Sequence, residues 1–303
     1  MKRILALLML LMLLVPLCAA AEEQVIINKI KDPNNDFAFP EDAKLLEIYF
    51  PNIYDAAAAL IRYGEYTMLF DCAGAFIRYG EYTMLFDTAG EQWEQTRKLL
   101  DMLGVTELTY ACNSHPHSDH TYGFQFVLAD HPAGEFIRFF EDDFHDSNPA
   151  AIKVFNLLRE MGIPFRQMGH GDTLPFGDVK ISFMQMDDPE NTGNNLSALM
   201  RVELGERSFL FASDVQIAGQ RWHVANGSDL KADILQHPHH GYNRMQAVFL
   251  DAVDPELVVV TSLPNAALGV PYLKDKKVPY VHTHQSILKM TTDGTVWVLE
   301  HIK

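Results

Sequence analysis

Apolar and polar positions divide the chain into a short leader and a long patterned body. Lys2 and Arg3 precede a nearly unbroken apolar run from Ile4 to Leu17, and small residues at Ala19, Ala20 and Ala21 then give way to Glu22. The run is shorter than the roughly 20 residues that a membrane-spanning helix needs. A basic start, a short apolar stretch and small residues before a polar one have the pattern of a secretory signal peptide, cleaved after Ala21. A retained membrane anchor is the alternative, and bulky Leu17 disfavours lipidation at Cys18. No later apolar run is long enough to span a bilayer.

The body begins with a repetition. The segment "IRYGEYTMLFD" occupies 61–71 and returns letter for letter at 77–87, followed by Cys72-Ala73-Gly74 and Thr88-Ala89-Gly90 respectively. Each copy, rich in aromatic and aliphatic residues and ended by an Asp and a Gly turn, reads as one strand. The five-residue connection from Cys72 to Phe76 lets the copies pair as an antiparallel hairpin. Two units are too few for a solenoid. Only one copy can fill a given place in a sheet, and the second is favoured, because "EQWEQTRKLLDMLG" follows it as a helix stopped by Gly104 and "ELTYAC" then forms a short strand. Strand, helix, strand is the order of a βαβ unit, with any site at a strand's carboxyl end.

Residues 130–167 are expected to be helical, since "AAIKVFNLLREMG" carries apolar residues at helical spacing before a Gly stop. The remainder reads as strands and turns: "DTLPFGDVKISFMQM", "SALMRVELGERSFLFASD", "LVVVTSL" and "TTDGTVWVLEH", with Leu-Gly-Glu-Arg and Asp-Gly as hairpin turns. Strand-rich halves that each carry helices predict a layered α/β architecture. Removal of residues 1–21 leaves about 280 residues, and 48% of the full chain is hydrophobic. That suffices for one large core, so 22–303 is expected to form a single domain.

Charge and cysteine content narrow the function. Losing the leader removes Lys2 and Arg3 and no acidic residue, so the formal net charge moves from −16 to −18. Such acidity repels polyphosphate backbones and makes nucleic acid an unfavourable partner. Only Cys72 and Cys112 remain, too few for a disulfide-dependent scaffold; two buried thiols are the simpler reading and a single bridge the alternative. The leader implies an extracytoplasmic protein, whether secreted, periplasmic or held at the cell surface. Its oligomeric state is left open.

Candidate chemistry concentrates in "NSHPHSDH", residues 113–120, directly after a strand. Alternate residues of an extended loop project to one side, so His115 and His117 can grip one ion, while Asp119 and His120, where the chain turns, can grip a second. Imidazole and carboxylate ligands suit zinc best, with manganese or iron as alternatives. "FLFASD" is an apolar strand ending in Asp214, and a carboxylate there can bridge two cations about 3.5–4 Å apart. "ADILQHPHHGYN" is another strand, running into His237, His239, His240 and Gly241. One of these histidines can complete the second ion's shell.

Together these motifs resemble those of the metallo-β-lactamase superfamily of binuclear metal hydrolases. The resemblance implies a four-layer αββα sandwich with mixed sheets and covers roughly residue 45 to the end. Its nearest branch shares a His-His-Gly last motif with the hydrolase domain of competence-channel proteins and with secreted phosphorylcholine esterases. Carried across, it implies that Asp87, in "LFDTAG", supports the histidine loop. His115 and His117 would bind the first of two zinc ions, Asp119 and His120 the second, with Asp214 bridging and His240 completing the second. His239 would face the substrate, binding an oxyanion or protonating a leaving group, and is counted with Asp119 as catalytic.

The sequence departs from the family in one place. Lactamases and glyoxalase-type members carry a further histidine before the bridging Asp, whereas "NTGNNLSALMR" offers Asn195 and Ser197. The first ion then keeps open positions, which suit a phosphate oxygen better than a β-lactam. His170, separated by a whole strand, is expected outside the site; His282 and His284 read as packing or surface residues, Asp187 and Asp188 as a solvated loop, and Tyr242 and Asn243 as within reach of substrate. The resemblance therefore implies a secreted metal-dependent hydrolase of a phosphoester or phosphodiester, acting on a small-molecule or cell-envelope substrate. Lactone, thioester or amide hydrolysis, a nuclease, and a non-catalytic binding protein on this scaffold are the alternatives.

Overall fold

The computed structural model describes residues 37–52, 74–141, 149–187, 193–284 and 286–302, with the backbone of the strands Ile30–Lys31, Ile61–Tyr63 and Tyr66–Met68. The leader, Cys72 and Asp188 lie outside the described residues. Two mixed sheets face each other. In spatial order the first runs Ile30–Lys31, Trp297–Ile302, Ile287–Thr292, Leu46–Phe50, Ala75–Tyr79, Tyr82–Phe86, Leu108–Asn113, Ala133–Arg138 and Phe165–Gln167. The second runs Thr173–Phe176, Val179–Met184, Leu199–Leu204, Arg207–Phe211, Ile234–Gln236, Leu257–Val260 and Tyr280–His282.

Side-chain alternation builds three cores from these two sheets. Successive residues of a strand point to opposite faces, so Phe209 and Phe211 enter the core between the sheets while Leu210 and Ala212 pack on the other face. Leu46, Ile48 and Phe50 meet the same central core, and their neighbour Tyr49 faces outward. Each fully buried Phe contributes about 1.5–3 kcal/mol by leaving water. Helices cover both outer faces: Leu99, Leu100, Phe124, Val154 and Leu158 on the first sheet, Phe249, Leu250, Val253 and Leu273 on the second. This is the expected αββα sandwich.

The helix Trp93–Met102 buries Thr96, Leu99 and Leu100 on one stripe. Its end is closed by hydrogen bonds from Gly104 N to Asp101 O and from Val105 N to Leu100 O, each 3.0 Å, the Schellman pattern. The strands on either side of it, Tyr82–Phe86 and Leu108–Asn113, pair in parallel as a βαβ unit requires. Among the described residues, no helix is long and apolar enough to cross a membrane.

Two expectations fail locally. Residues 130–167 do not form continuous helix: the helix Phe124–Asp130 is followed by the strand Ala133–Arg138, and the helix Pro149–Met161 by the strand Phe165–Gln167. Pro132 disfavours helical backbone at His131, and "AGEFIR" is held extended between parallel neighbours on both sides. The repeat also differs, because each copy is a hairpin and not one strand. The second pairs Ala75–Tyr79 with Tyr82–Phe86 across Gly80 and Glu81, and Gly80 takes the positive φ of 58° that so short a turn requires. The first copy pairs Ile61–Tyr63 with Tyr66–Met68 in a separate two-stranded sheet. The copies are therefore each paired internally, and the second holds the place beside Leu46–Phe50 and Leu108–Asn113.

Candidate metal centre

Two pairs of parallel strands, one pair in each sheet, deliver the site. Tyr82–Phe86 leads to Asp87, Leu108–Asn113 to the histidine loop, Arg207–Phe211 to Asp214, and Ile234–Gln236 to His237–Gly241. Their carboxyl ends converge from two sheets, so residues more than a hundred positions apart in sequence meet.

Asp87 is the brace. Its carboxylate accepts hydrogen bonds from Asn113 Nδ2 (3.0 Å), Ser114 N (2.8 Å), Ser114 Oγ (2.6 Å) and His120 Nδ1 (2.8 Å). Ser114 spends its one hydroxyl proton on Asp87, so its oxygen accepts from His115 Nδ1 at 3.0 Å. Both His115 and His120 are thereby held at Nδ1 with Nε2 turned inward, the orientation that supporting groups give metal-binding histidines. His240 Nδ1 meets Thr261 Oγ1 at 3.0 Å. Thr88 ties the loop further, its hydroxyl donating to His120 O at 3.0 Å. Cys72 follows the first copy of the repeat at the equivalent position, which explains why the second copy suits this place.

Two groups of ligand atoms form around Asp214. Asp119, His120, Asp214 and His240 make one, and His115, His117 and Asp214 the other, the atoms of each group lying within 4.8 Å of one another. On the Oδ1 side, His240 Nε2 is 3.1 Å and His120 Nε2 3.2 Å from Asp214, while Asp119 Oδ2 is 3.5 Å from His120 Nε2 and 3.8 Å from His240 Nε2. On the Oδ2 side, His115 Nε2 is 3.7 Å from Asp214 and 3.1 Å from His117 Nδ1. A tetrahedral ion with bonds of 2.0–2.1 Å separates its ligands by about 3.4 Å, the middle of this range. His120 Nε2 and Asp214 Oδ1 are buried with no hydrogen-bond partner, and a cation between them satisfies both. The residues fit a pair of divalent ions.

The field at the centre favours positive charge. Burial alone drives the His120 imidazole down, yet Asp214, Asp119 and Asp87 raise its pKa well above the usual value. Burial likewise opposes the charge of Asp214, but His120 and His240 hold its carboxyl well below the usual range. Burial carries His115 well below its ordinary pKa, keeping it neutral and able to donate a lone pair.

His239 and His240 reach the site together because both backbones are left-handed, with φ of 51° and 57°; in an extended strand the two rings would point to opposite faces. His240 joins the Oδ1 group, and His239 Nε2 lies 3.8 Å from Asp214 Oδ2 without joining either group. Of the two histidines between which the residues alone leave the choice open, His240 lies within a group of ligand atoms and His239 lies outside both.

The remaining candidates fall outside. His237 is buried with Nδ1 on Pro238 O at 2.8 Å. His170 packs edge-on to Trp222, and His282 Nδ1 meets Ser262 O at 3.1 Å. His284 lies edge-on to His282, and Asp187 is exposed. Asn195 Oδ1 accepts from Gly219 N at 2.9 Å, tying the turn Gly193–Leu196 to the helix Ile217–Ala225, and Ser197 is buried. Tyr242 packs edge-on to both His239 and His240, and Asn243 Nδ2 reaches His239 Nδ1 at 3.2 Å. Sequence reasoning missed Ser114, Thr261, Asn194 and Gln216, whose residue types carry no metal-binding signal. Cys112 is a buried free thiol, its pKa raised well above the usual value by burial.

The family model for the metallo-beta-lactamase superfamily matches residues 56–262, more than half of the chain. The chain belongs to that superfamily. The family implies hydrolase chemistry at a binuclear divalent-metal site, and the two groups of ligand atoms around Asp214 are compatible with such a site. It is 23% identical over 198 residues to ComE operon protein 3 of Bacillus subtilis (strain 168), an alignment covering 65% of this chain and 24% of that protein. The chain thus matches about a quarter of the length of that relative. Among solved structures it is similar to CmlA, a diiron beta-hydroxylase from Streptomyces venezuelae, with a TM-score of 0.52 and 14% identity over 84% of this chain and 55% of that one. It also resembles the metallo-beta-lactamase fold protein YhfI from Bacillus subtilis, with a TM-score of 0.48 and 14% identity over 78% of this chain and 95% of that one.

Proposed function

We propose that this superfamily member is an extracytoplasmic phosphoesterase or phosphodiesterase that works with two zinc ions. The observation that carries the reading is Asp214, one buried carboxylate shared by two groups of ligand atoms. His115, His117 and Asp214 hold the first ion; Asp119, His120, Asp214 and His240 hold the second. A bound cation pair supplies hydroxide at neutral pH by lowering a water's pKa from about 15.7 toward about 7, and offsets charge on the transferring group. Asp119, whose side chain is 30% exposed, orients the attacking water by accepting a hydrogen bond. His239, 22% exposed, contacts the phosphoryl group from the Oδ2 side. The three-ligand group at His115 and His117 leaves room for a phosphate oxygen, which favours this substrate class over β-lactams.

The leader-like residues 1–21 support export, and a small-molecule or cell-envelope ester is the fitting substrate for an acidic exported enzyme. Elemental analysis combined with a substrate panel tests the proposal. Close to two zinc ions per chain and turnover of bis-p-nitrophenyl phosphate or a phosphorylcholine ester, with little on lactones or nitrocefin, is the expected result. Preference for a lactone or nitrocefin would reject the substrate class, and full activity after metal stripping would reject the mechanism.

A further inference from the structure

Arg78, Arg97, Arg166, Arg201 and Arg207 are held by carboxylates, those of Glu47, Asp130, Glu135, Glu203 and Asp233 respectively. Arg221 and Arg244, which flank the loop after His239 and His240, are held by uncharged groups instead. Arg221 Nε and Nη2 donate to Gln246 Oε1 at 3.2 Å and 3.0 Å, and the Arg244 guanidinium carbon lies 3.9 Å from the centre of the Tyr272 ring. Among the described residues neither arginine meets a carboxylate, and the Arg244 guanidinium makes no hydrogen bond. Lys276 Nζ lies 5.8 Å from the same Tyr272 ring centre and Lys274 Nζ 5.9 Å from that of Tyr280. Adjacent residues of a helix do not face each other, so Asp275 pairs with neither lysine. Four positive charges thus line one rim of a chain whose formal net charge is −16.

That rim adjoins the metal centre. Tyr242 N donates to His239 O at 2.9 Å, turning the chain directly from His239 to Asn243. The side-chain amides of Asn194, Gln216 and Asn243 lie 3.4 Å, 3.3 Å and 3.2 Å from the ring nitrogens of His239. The backbone from His239 to Arg244 spans at most about 18 Å, and the turn shortens it. Both flanks of the loop are pinned: Gln246 N donates to Gln220 Oε1 at 2.7 Å, and Gly269 N to Gly241 O at 2.8 Å. A Cβ on Gly269 would fall 2.7 Å from Asn243 O, so the helix Val270–Lys276, which carries Tyr272, starts against the loop's backbone. The buried Tyr272 ring is therefore a fixed shelf beneath the exposed Arg244. A guanidinium stacked by its face keeps its in-plane N–H groups for an oxyanion. Arg244 and Lys276, sharing one ring, are no more than about 10 Å apart, about a Debye length at 0.1 M salt, and an anion between them relieves their repulsion.

We propose that Arg244 is a specificity-determining residue that grips a second phosphate of the substrate, carried on an organic arm of the diester beyond the metal centre. Arg221 and Lys276 supply supporting charge. The inference rests on the phosphoester reading and narrows it to diesters that carry such a group. The planar fork of a guanidinium matches two phosphate oxygens with two N–H groups, a contact that a diester with uncharged arms does not make.

The test compares the metal-loaded enzyme on two p-nitrophenyl phosphodiesters, one with glycerol as its other arm and one whose glycerol bears a phosphate on the far hydroxyl. The wild type should favour the phosphorylated arm by about tenfold or more in kcat/KM, mainly through KM, and added salt should erode the preference. Arg244→Ala should lower the ratio of the two kcat/KM values by about tenfold, and Arg221→Ala by about threefold. Arg244→Lys, which keeps the charge and loses the fork, should fall between wild type and Arg244→Ala, and it reads the same contact should the alanine variant fail to fold. A wild type indifferent to the added phosphate, a preference insensitive to salt, or a ratio unchanged by replacing Arg244 overturns the inference. If neither diester is turned over, the phosphoester reading falls, and calorimetric titration with glycerol 1,3-bisphosphate decides the rest. Weaker binding to Arg244→Ala than to wild type supports the anion grip, and equal or absent binding overturns it.

Discussion

The two sides of Asp214 are built to different specifications. On the Oδ1 side four residues converge, His120 and His240 fully buried, with His120 braced by Asp87 and His240 by Thr261. On the Oδ2 side three residues converge, and half-buried His117 sits beneath the turn Gly193–Leu196, where a Cβ on Gly193 would come within 3.7 Å of its ring. A full, braced shell retains its ion; a short shell leaves positions for exchange and for substrate. On the proposed function, the contrast would place retention at one oxygen of a carboxylate and turnover at the other.

The largest effect should come from removing what the two sides share. Asp214→Ala is expected to bring zinc content from about two per chain to near none and activity to background, measured by elemental analysis and initial rates; retention of one tight ion would show that the sides are independent. Next, His117→Ala and His240→Ala should separate them. Activity of the first should return in excess zinc, since only an open shell is weakened, while that of the second should not; equal rescue would erase the distinction.

Asp87→Asn should cost about 10–100-fold in zinc affinity. An asparagine cannot accept from Asn113, Ser114 and His120 together, and the brace reaches both sides, directly at His120 and through Ser114 at His115. Thr261→Val touches only the Oδ1 side through His240 and should cost about tenfold there. Chelator competition, resolved into a tight and a weak ion, measures both.

Acid should also weaken the fold itself. His223, on the helix Ile217–Ala225 that Asn195 grips, is buried with Nε2 unpartnered, and burial pushes its pKa from 6.5 down to about 4. The folded chain keeps this ring neutral while the unfolded chain takes a proton below pH 6.5. Its contribution is thus present above pH 6.5 and lost as pH falls through about 4, a loss of about 3 kcal/mol. Urea melts of metal-free protein from pH 7 to 4 should show the decline, and His223→Gln should flatten it. Smallest of all, deleting residues 58–73, one 16-residue period that leaves Ala75–Tyr79 intact, should leave zinc content and kcat unchanged, because the working hairpin is the second copy.

What was legible in the sequence was whatever chemistry is written contiguously. His115, His117, Asp119 and His120 fall within six residues, and Asp214 and His240 each close an apolar strand, so residue type and position together exposed them. Of the amides around His239, Asn243 was legible because it follows the last motif; Asn194 and Gln216 were not, because Asn and Gln in polar loops look alike and only their meeting at His239 singles them out. The strand Ala133–Arg138 was hidden for a related reason: a six-residue apolar segment takes its conformation from the parallel neighbours that pair with it. The repeat was misread as single strands because Tyr-Gly-Glu-Tyr, a two-residue turn, lies inside a stretch that is otherwise evenly apolar.

The repeat has a consequence for how such a chain can grow. A shift of 16 positions, from Ile61 to Ile77, lengthens the covalent path between two neighbours of the first sheet, and doubling a loop adds only about 0.6 kcal/mol of closure entropy. The register between Leu46–Phe50 and Ala75–Tyr79 is filled by whichever hairpin adjoins Thr88, and the surplus one is displaced without altering the pairing. Duplicated genetic material next to a working strand is in this way carried as ballast, available for new use while the original keeps its post.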